Sequence, residues 1–392
     1  MKVVEFGDLF EFIRNGMNVK QDKSGDGLPI TRIETISNSF IDPERVGFAG
    51  LEVESCKEWL LSPGDILFSH INSVEHIGKC AVYEGTPEKL VHGMNLLCLR
   101  PDNKHLLPGF AKYLIRSPSF RKKLSSYINK AVNQASVSIG NLKGIPVTIP
   151  ELSEQIRIAN ILGKADILCA MHREALAHLD CIEQAIFMEM FGDPVKNPKG
   201  WKGIPMKEVA QFFAGNSLPN GEDYVGQETG YFLMRVSDMN IPGNEKFIER
   251  CQSWSITGGS RAGTCPPRSI VIPKRGGAIG TNKKRITRRP TILDPNLMAI
   301  APNEEIISLA YLFEWFKIFD LSSIASGSSV PQLNKQDLAP IIIRVPPLDI
   351  QKNFETKIRK IEILKTTASA GLKAADNLFI SLQHRAFSGT QL

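Results

Sequence analysis

The chain has 392 residues, 42% of them hydrophobic and 22% charged, and its 47 basic and 41 acidic residues give a net charge of +6. This composition is typical of globular proteins with two or three domains and excludes a mainly disordered chain. No apolar run reaches the roughly 18 residues of a membrane span, residues 1–8 lack the apolar core of a secretory signal, and seven cysteines without a Cys-x-x-Cys pair favour reduced thiols in a cytoplasmic protein.

The first block, residues 1–150, consists of short apolar runs separated by Gly, Pro and Asn. This pattern predicts strands over 28–33, 65–68, 95–99 and 145–149, with a short helix over 111–115. The stretch 103–150 carries eight Lys or Arg and no acidic residue, which predicts a surface for a polyanion. A chance cluster of solvated charges is the alternative. The cations that we select in this block are Lys79, Arg116, Arg121, Lys122 and Lys123.

A long helix is predicted over 151–192. Ser153 follows a proline that cannot continue a helix and is the expected N-cap, and Gly192 is the expected end. Apolar residues recur at alternating spacings of three and four, which is the seam of a coiled coil. The positions that we expect to pair with another helix are Ile158, Leu168, Leu179 and Ile186.

A linker over 193–201 leads into a second block that ends at residue 345 and contains a predicted helix over 310–316. Its stretch 250–293 carries ten Lys or Arg and again no acidic residue, so the two basic stretches hold +18 and the remainder of the chain −12. Two such stretches in comparable places predict two surfaces for a polyanion. The cations that we select in this block are Lys274, Arg275, Lys283, Lys284 and Arg285.

A second long helix is predicted over 346–392, from Asp349 as its N-cap to an end near Ser388. Its expected pairing positions are Phe354, Leu364, Leu378 and Leu382, while Lys357 and Gly371 interrupt the apolar pattern. A long amphipathic helix cannot bury its apolar stripe alone, so we expect the two long helices to pair antiparallel. The alternative is that each helix packs on its own block.

The chain is an internal repeat with an offset of 196 residues. Identical residues at this offset include Leu142/Leu338, Ile145/Ile341, Pro150/Pro346, Gln155/Gln351 and Phe191/Phe387. Residues 65–70, followed by Gly78, weakly match residues 269–274, followed by Gly280. The sequence therefore predicts an α+β fold made of two mixed α/β domains, each followed by one long helix.

Catalytic and metal motifs are hard to find. The sequence has no Gly-x-x-x-x-Gly-Lys-Ser/Thr phosphate loop, no Asn-Pro-Pro-Tyr segment and no His/Cys cluster with zinc spacing. Asp349 with Glu355 and Lys357 superficially resembles a nuclease set, but these residues fall on the first turns of a helix, where charges are normally solvated. We therefore expect no catalytic residue and no bound metal. A helical scaffold for protein assembly and a self-contained methyltransferase or nuclease remain alternatives.

Three segments resemble the specificity subunits of Type I restriction–modification systems. Residues 149–159 (Ile-Pro-Glu-Leu-Ser-Glu-Gln-Ile-Arg-Ile-Ala) resemble the start of the family's conserved spacer helix, and residues 189–194 (Glu-Met-Phe-Gly-Asp-Pro) resemble its end. Residues 330–338 (Val-Pro-Gln-Leu-Asn-Lys-Gln-Asp-Leu) resemble the end of a target-recognition domain. The resemblance covers nearly the whole chain.

The resemblance implies a non-catalytic DNA-recognition subunit. In this family two target-recognition domains each read one half of a split, asymmetric double-stranded DNA site, and antiparallel helices set the spacer between the halves. The helices also dock two methyltransferase subunits, through which the restriction subunits are recruited. S-adenosylmethionine, ATP and Mg²⁺ are then used by these partners, for adenine-N6 methylation and ATP-dependent cleavage, and this chain binds no cofactor. The selected cations become candidate DNA contacts, with phosphates supplying affinity and base edges specificity.

Overall fold

The computed structural model describes residues 2–130, 135–259, 263–327 and 330–388. Arg261 of the second basic stretch and Gly389, near the expected end of the second long helix, lie outside these ranges. Contacts divide the chain into a first unit, Met1–Arg173 with Ser369–Leu392, and a second unit, Glu174–Ala368. The division crosses both long helices, and the domain boundaries that we expect at 150, 192 and 345 stay predictions.

The first unit combines short strands and short helices. One antiparallel sheet has the strand order Phe10–Asn15, Leu97–Pro101, Ile66–Phe68 and Cys80–Val82. Another has the order Ile71–Asn72, Ala135–Ser136 and Asn129–Lys130, and Lys2–Glu5 pairs with Pro146–Ile149. The α-helices are Val53–Cys56, Pro108–Arg116, Pro118–Ser125 and Ile139–Lys143, with 3-10 turns at Phe6–Leu9, Ile33–Ile36 and Lys57–Trp59.

Most of the elements predicted for the first block are confirmed to within a few residues. The strand predicted over 28–33 is wrong, because there Ile30 forms only isolated bridges, to Gly47 and Val91, and a 3-10 turn begins at Ile33. Ile30 is nevertheless fully buried. Its apolar run therefore reflects burial of a loop, which an apolar pattern alone does not distinguish from a strand.

The second unit contains two larger sheets. One has the strand order Ala210–Ala214, Leu297–Pro302, Ile270–Pro273, Arg285–Thr287 and Phe247–Ile248. The other has the order Glu222–Asp223, Ser253–Ser255, Tyr231–Met234, Thr291–Leu293 and Thr264–Cys265, and Lys202–Pro205 pairs with Ile342–Val345. The shorter helices are Met206–Val209, Leu309–Ile318 and Lys335–Leu338, with 3-10 turns at Val236–Asn240, Gly276–Thr281 and Leu321–Ile324.

The first long helix is Leu152–Phe191 and the second is Leu348–Ser388. The expected N-caps Ser153 and Asp349 lie one residue inside them, a normal error for a boundary read from sequence. Gly192 adopts a positive φ of 76° directly after the first helix, as expected for its C-terminal glycine.

The buried stripe of the first long helix differs from the predicted seam at every second position. The stripe is buried or half-buried at Gln155, Ile158, Leu162, Ala165, Cys169, His172, Leu176, Leu179, Glu183 and Ile186. Ile158, Leu179 and Ile186 lie on it, whereas Leu168 is exposed. The predicted alternation of spacings of three and four is present in the buried stripe. Every second position of the stripe, however, lies one residue later in the chain than the predicted position. Two of these displaced positions are occupied by the polar residues Gln155 and Glu183, so a search for apolar residues does not find them.

The second long helix shows the same displacement. Its stripe contains Gln351, Phe354, Ile358, Ile361, Lys365, Ala368, Leu372, Ala375, Phe379, Leu382 and Ala386. Phe354 and Leu382 lie on this stripe, whereas Leu364 and Leu378 are exposed and lie beside it. Lys365 occupies one of the displaced positions, which again disguises the seam in the sequence.

The long helices pair antiparallel within each unit, and they also pack on the blocks. In the second unit the Phe187 and Phe354 rings lie 5.7 Å apart and Lys365 lies 2.9 Å from Glu183. In the first unit a Cβ on Gly371 would lie 2.5 Å from His172, so the glycine provides the space for this histidine. Ile158 also shares one core with Phe110 and Ala386. Pairing and packing on the block therefore occur together, and the α+β class with antiparallel long helices is confirmed.

One buried glutamine fixes the start of each long helix. Gln155 accepts a hydrogen bond from the Leu107 N–H (3.0 Å) and donates to the carbonyls of His105 (2.8 Å) and Pro150 (3.0 Å). Gln351 makes the equivalent bonds in the second unit, to the Ser308 N–H and to the carbonyls of Ile306 and Pro346. Each glutamine thus joins the long helix to the short helix of its block.

Gln155→Leu is expected to lower the free energy of unfolding by about 2–3 kcal/mol, because buried backbone groups lose their partners. Urea unfolding followed by circular dichroism measures the change. Gln184→Leu, on the exposed side of the same helix, is the matched control and should change stability by less than about 0.5 kcal/mol. Equal effects of the two substitutions would contradict the role of Gln155.

Candidate nucleic-acid interface

Each unit presents a loop at the same place in its sheet. In the first unit residues 70–79 follow the strand Ile66–Phe68, and in the second unit residues 274–283 follow the strand Ile270–Pro273. Equivalent backbone bonds hold the two loops: the Val137 N–H donates to the His70 carbonyl (3.0 Å), and the Leu333 N–H donates to the Lys274 carbonyl (2.9 Å). The weak sequence match between 65–70 and 269–274 therefore marks a shared local structure. We call these segments the first and second loops.

The second loop has an exposed cation beside an open glycine-rich turn. Arg275 is exposed, and its backbone bridges to Gln332. In the following turn, Gly276–Thr281, a Cβ built on Gly276, Gly277 or Gly280 would meet no atom within 4 Å among the described residues. A large partner can therefore approach the backbone of this turn closely. The Gly276 N–H is held by the Pro331 carbonyl at 2.8 Å, which fixes the turn against residues 330–334.

The first loop has different chemistry. His70 is buried, and burial lowers the pKa of its imidazole to about 4, so the ring is neutral at pH 7. Ser73 and His76 are exposed, and the Lys79 amine donates to the Ser37 carbonyl at 3.2 Å. The strand Asn129–Lys130 lies in the same small sheet as Ile71–Asn72 and exposes Lys130. Next to the strand, a neutral imidazole and a hydroxyl thus take the place of Lys274 and Arg275, while the first loop has its own charges at Glu75 and Lys79.

The five cations selected in the second block occupy unequal environments. Arg275 is exposed and Lys274 is half-buried, and burial followed by the charge of Arg275 lowers the pKa of the Lys274 amine. Lys283 donates to the Asn240 side chain, and the Arg285 guanidinium donates to the Met239 carbonyl at 3.0 Å. Arg275 is therefore the most accessible of the set.

Lys284 requires a correction. Its side chain is only 4% exposed, and its amine donates to the Phe319 carbonyl at 2.8 Å. Burial lowers the pKa of this amine to about 8. A direct contact with DNA is therefore disfavoured, because the amine is buried and already bonded to a backbone carbonyl of the second unit.

The cations selected in the first block are also partly committed to protein contacts. Arg116 pairs with Asp166 at 3.0 Å, Arg121 donates to the Ile77 carbonyl, and Lys123 donates to the Pro146 carbonyl at 2.8 Å. Lys122 is exposed and has no side-chain partner within the part of the chain that the structure describes. Contact of these residues with DNA stays a prediction, and Lys122 is the most available.

Sequence reasoning did not select three other exposed lysines of the first basic stretch. Lys104, Lys130 and Lys143 are all exposed. The acid-free stretch gave a signal for them, but charge counting does not rank residues by accessibility. Within residues 2–130, 135–259, 263–327 and 330–388, no group of three or more His, Cys, Asp or Glu side chains could hold a metal ion. Over the same ranges, no helix is both long and apolar enough to cross a membrane.

The model of the Type I restriction modification DNA specificity domain matches residues 1–179 and again residues 198–370. The chain belongs to this family. The duplicated match agrees with the offset of 196 residues and with the equivalent loops of the two units.

Relatives and solved structures agree with the family. The putative type I restriction enzyme MjaX specificity subunit of Methanocaldococcus jannaschii is 32% identical over 373 residues, which are 93% of this chain and 87% of that protein. The type I restriction enzyme EcoKI specificity subunit of Escherichia coli is 28% identical over 202 residues, covering 48% of this chain and 42% of that protein.

The fold is similar to that of the S subunit of a Type I restriction–modification system from M. genitalium (TM-score 0.57, 15% identity, 98% of this chain and 96% of that one). A chain from a study of complex assembly and conformational transition of the type I restriction–modification system gives a TM-score of 0.52 at 14% identity, over 98% of this chain and 97% of that one. The protein is thus a Type I specificity subunit with DNA-recognition domains.

Proposed function

We propose that each unit reads one half of a bipartite, asymmetric site in double-stranded DNA. The observation that carries this proposal is the repeated loop position, which holds His70, Ser73 and His76 in the first unit and Lys274 and Arg275 in the second. Equivalent scaffolds that present different donors and acceptors recognise different bases. The two halves of the site therefore differ in sequence.

The exposed cations contribute through the phosphates. Lys122, Lys130 and Arg275 remain available for the DNA backbone, whereas several neighbouring cations contact protein atoms. Phosphate contacts set affinity and orientation, and base-edge contacts set specificity. Arg275 is suited to both, since a guanidinium forms bidentate bonds to guanine in the major groove.

The long helices set the spacer and dock two methyltransferase subunits, through which the restriction subunits join. Their sides away from the buried stripe expose large apolar residues, including Ile167 and Met171 on the first helix and Ile363 and Ile380 on the second. Large apolar side chains that are exposed on both long helices support a protein-binding role for these helices. The chain itself is non-catalytic and binds no cofactor, and the partners use S-adenosylmethionine, ATP and Mg²⁺. This assembly acts in the cytoplasm.

Co-expression with the cognate methyltransferase subunit, followed by methylome sequencing, tests the proposed function. We expect methylated adenines in two different short sequences that are separated by a constant gap. A host that carries the methyltransferase subunit alone is the control and should lack this modification. A single uninterrupted target, or methylation unaffected by the specificity subunit, would contradict the proposal.

Arg275→Ala is expected to weaken methylation of one half-site variant by about fivefold to a hundredfold, since a base-specific arginine contact contributes roughly 1–3 kcal/mol. Methylation of a DNA library randomised in both half-sites measures the effect. Lys207→Ala removes another exposed charge of the second unit, outside the basic stretches, and it should leave the preference unchanged. A preference that changes in the other half-site would refute this assignment of the second loop.

A further inference from the structure

A cluster of buried charges joins the long helices in the second unit. Glu183 of the first long helix has a side chain only 2% exposed, and its carboxylate lies 2.9 Å from the Lys365 amine of the second long helix. Lys317, on the helix Leu309–Ile318, approaches the same carboxylate to 3.1 Å, and Lys246 to 3.9 Å. Three lysine amines therefore lie within 4 Å of one carboxylate in the helix seam.

Each lysine of the cluster also pairs with a second acid. Lys317 pairs with Glu314 at 2.9 Å, Lys246 with Glu362 at 2.6 Å, and Lys365 with the exposed Asp180 at 2.5 Å, so the three lysines face three glutamates in the seam and one aspartate at the surface. Burial alone would raise the pKa of the Glu183 carboxyl, but the amines of Lys246, Lys365 and Lys317 hold it below its ordinary value. The carboxylate is charged at neutral pH, and its partners compensate for the loss of water. We call the three lysines together with Glu183, Glu314 and Glu362 the ion network.

The repeat does not contain this network twice. At the offset of 196 residues, Glu183 corresponds to Phe379 and Lys365 corresponds to Cys169. In the first unit the Phe379 ring packs 6.1 Å from the Tyr113 ring, and Cys169 is buried. The acid and its lysine thus occur once each, on different helices, and their equivalent positions are apolar.

This asymmetry affects pairing between identical halves. Two copies of the first half would place Glu183 against Cys169 without any of its three lysines. The cation beside the equivalent position is Arg116, whose guanidinium lies 5.5 Å from the Phe379 ring and, like Lys112, is already paired with Asp166. Two copies of the second half would place Lys365 against Phe379 and would lack the central carboxylate, so that Lys365 would keep only the partly exposed Asp376, which corresponds to Asp180. A buried charge that loses its partner is strongly unfavourable, whereas the unlike pair satisfies both charges.

We propose that the ion network determines which long helices pair. Because of it, the long helix of the first half binds the long helix of the second half in preference to a copy of itself. The partner that fits the seam at Glu183 is therefore the unlike half, from the same chain or from a second copy. This specificity does not depend on DNA recognition or on the partner subunits. The expected preference for unlike over like pairs is about a hundredfold or more.

The full chain with a protease site inserted after Val195, in the linker, provides the test. The folded protein is cut, mixed with an isotope-labelled preparation cut in the same way, unfolded in urea and refolded. Native mass spectrometry then counts first–first, first–second and second–second pairs. We expect first–second pairs with mixed labels and fewer than about one like pair in a hundred. Like pairs at the random share of about one half would overturn the proposal.

The matched variant carries Glu183→Phe and Lys365→Cys, which give each position the residue of the other half. Like pairs should now form, and their continued absence would place the specificity outside the network and overturn the proposal. If the cut halves do not refold, thermal unfolding of the uncut chain decides. The single variants Glu183→Phe and Lys365→Cys should each lower the midpoint, and the double variant should lower it by clearly less than the sum of the two losses, because neither partner's charge is then left unpaired. Additive losses would also overturn the proposal.

Discussion

Phe354→Ala should lower the free energy of unfolding of the second unit by about 3–5 kcal/mol. Phe354 is fully buried, and its ring centre lies 5.1 Å from Phe191 and 5.7 Å from Phe187. Phe187 also stacks on Tyr311 at 5.4 Å, so both long helices and the helix Leu309–Ile318 meet at this aromatic cluster. Removing one ring leaves a cavity among three packed elements, which cannot all shift to fill it. Urea unfolding followed by tryptophan fluorescence measures the loss.

Ile363→Ala is the matched control for Phe354→Ala. Ile363 lies on the same helix but is 61% exposed, so its truncation should change stability by less than about 0.5 kcal/mol. Similar losses from both substitutions would show that the aromatic cluster does not hold the helices in place.

The period of the helix seam can be predicted from the sequence, but its phase cannot. Alternating spacings of three and four indicate paired helices, and Ile158 and Phe354 lie on the buried stripe as expected. The other half of the stripe contains Gln155, Glu183 and Lys365, which an apolar search rejects. Their burial depends on partners far along the chain, such as Leu107 for Gln155 and Lys317 for Glu183. Sequence patterns do not contain these contacts.

The basic stretches show a similar limit for the candidate site. Their lack of acids is visible in the sequence, and it draws attention to the loop that contains Arg275. Whether a cation faces solvent depends on backbone carbonyls brought near by folding, such as Phe319 for Lys284 and Pro146 for Lys123. A carbonyl gives no signal in a count of charges, so part of a cationic stretch can stabilise the domain interior.

Inserting seven residues into both long helices is expected to lengthen the DNA spacer by about three base pairs without changing either half-site. The insertions are placed between Arg173 and Glu174 and between Ala368 and Ser369, where the boundary between the units crosses each helix. Seven residues preserve the alternation of three and four and add about 10.5 Å to each helix, or about three steps of 3.4 Å along DNA. Methylome sequencing with the co-expressed methyltransferase subunit measures the spacer.

The same insertion in the first long helix alone is the informative control. It shifts the first long helix by a full heptad relative to the second. Pairs such as Glu183 with Lys365 and Phe187 with Phe354 are then separated, whereas insertion into both helices is designed to retain them. We therefore expect the single insertion to abolish specific methylation, whereas the double insertion retains it at a longer spacer. An unchanged spacer with altered half-sites in the double insertion would contradict the role of the helices as a ruler, because recognition would then depend on them in another way.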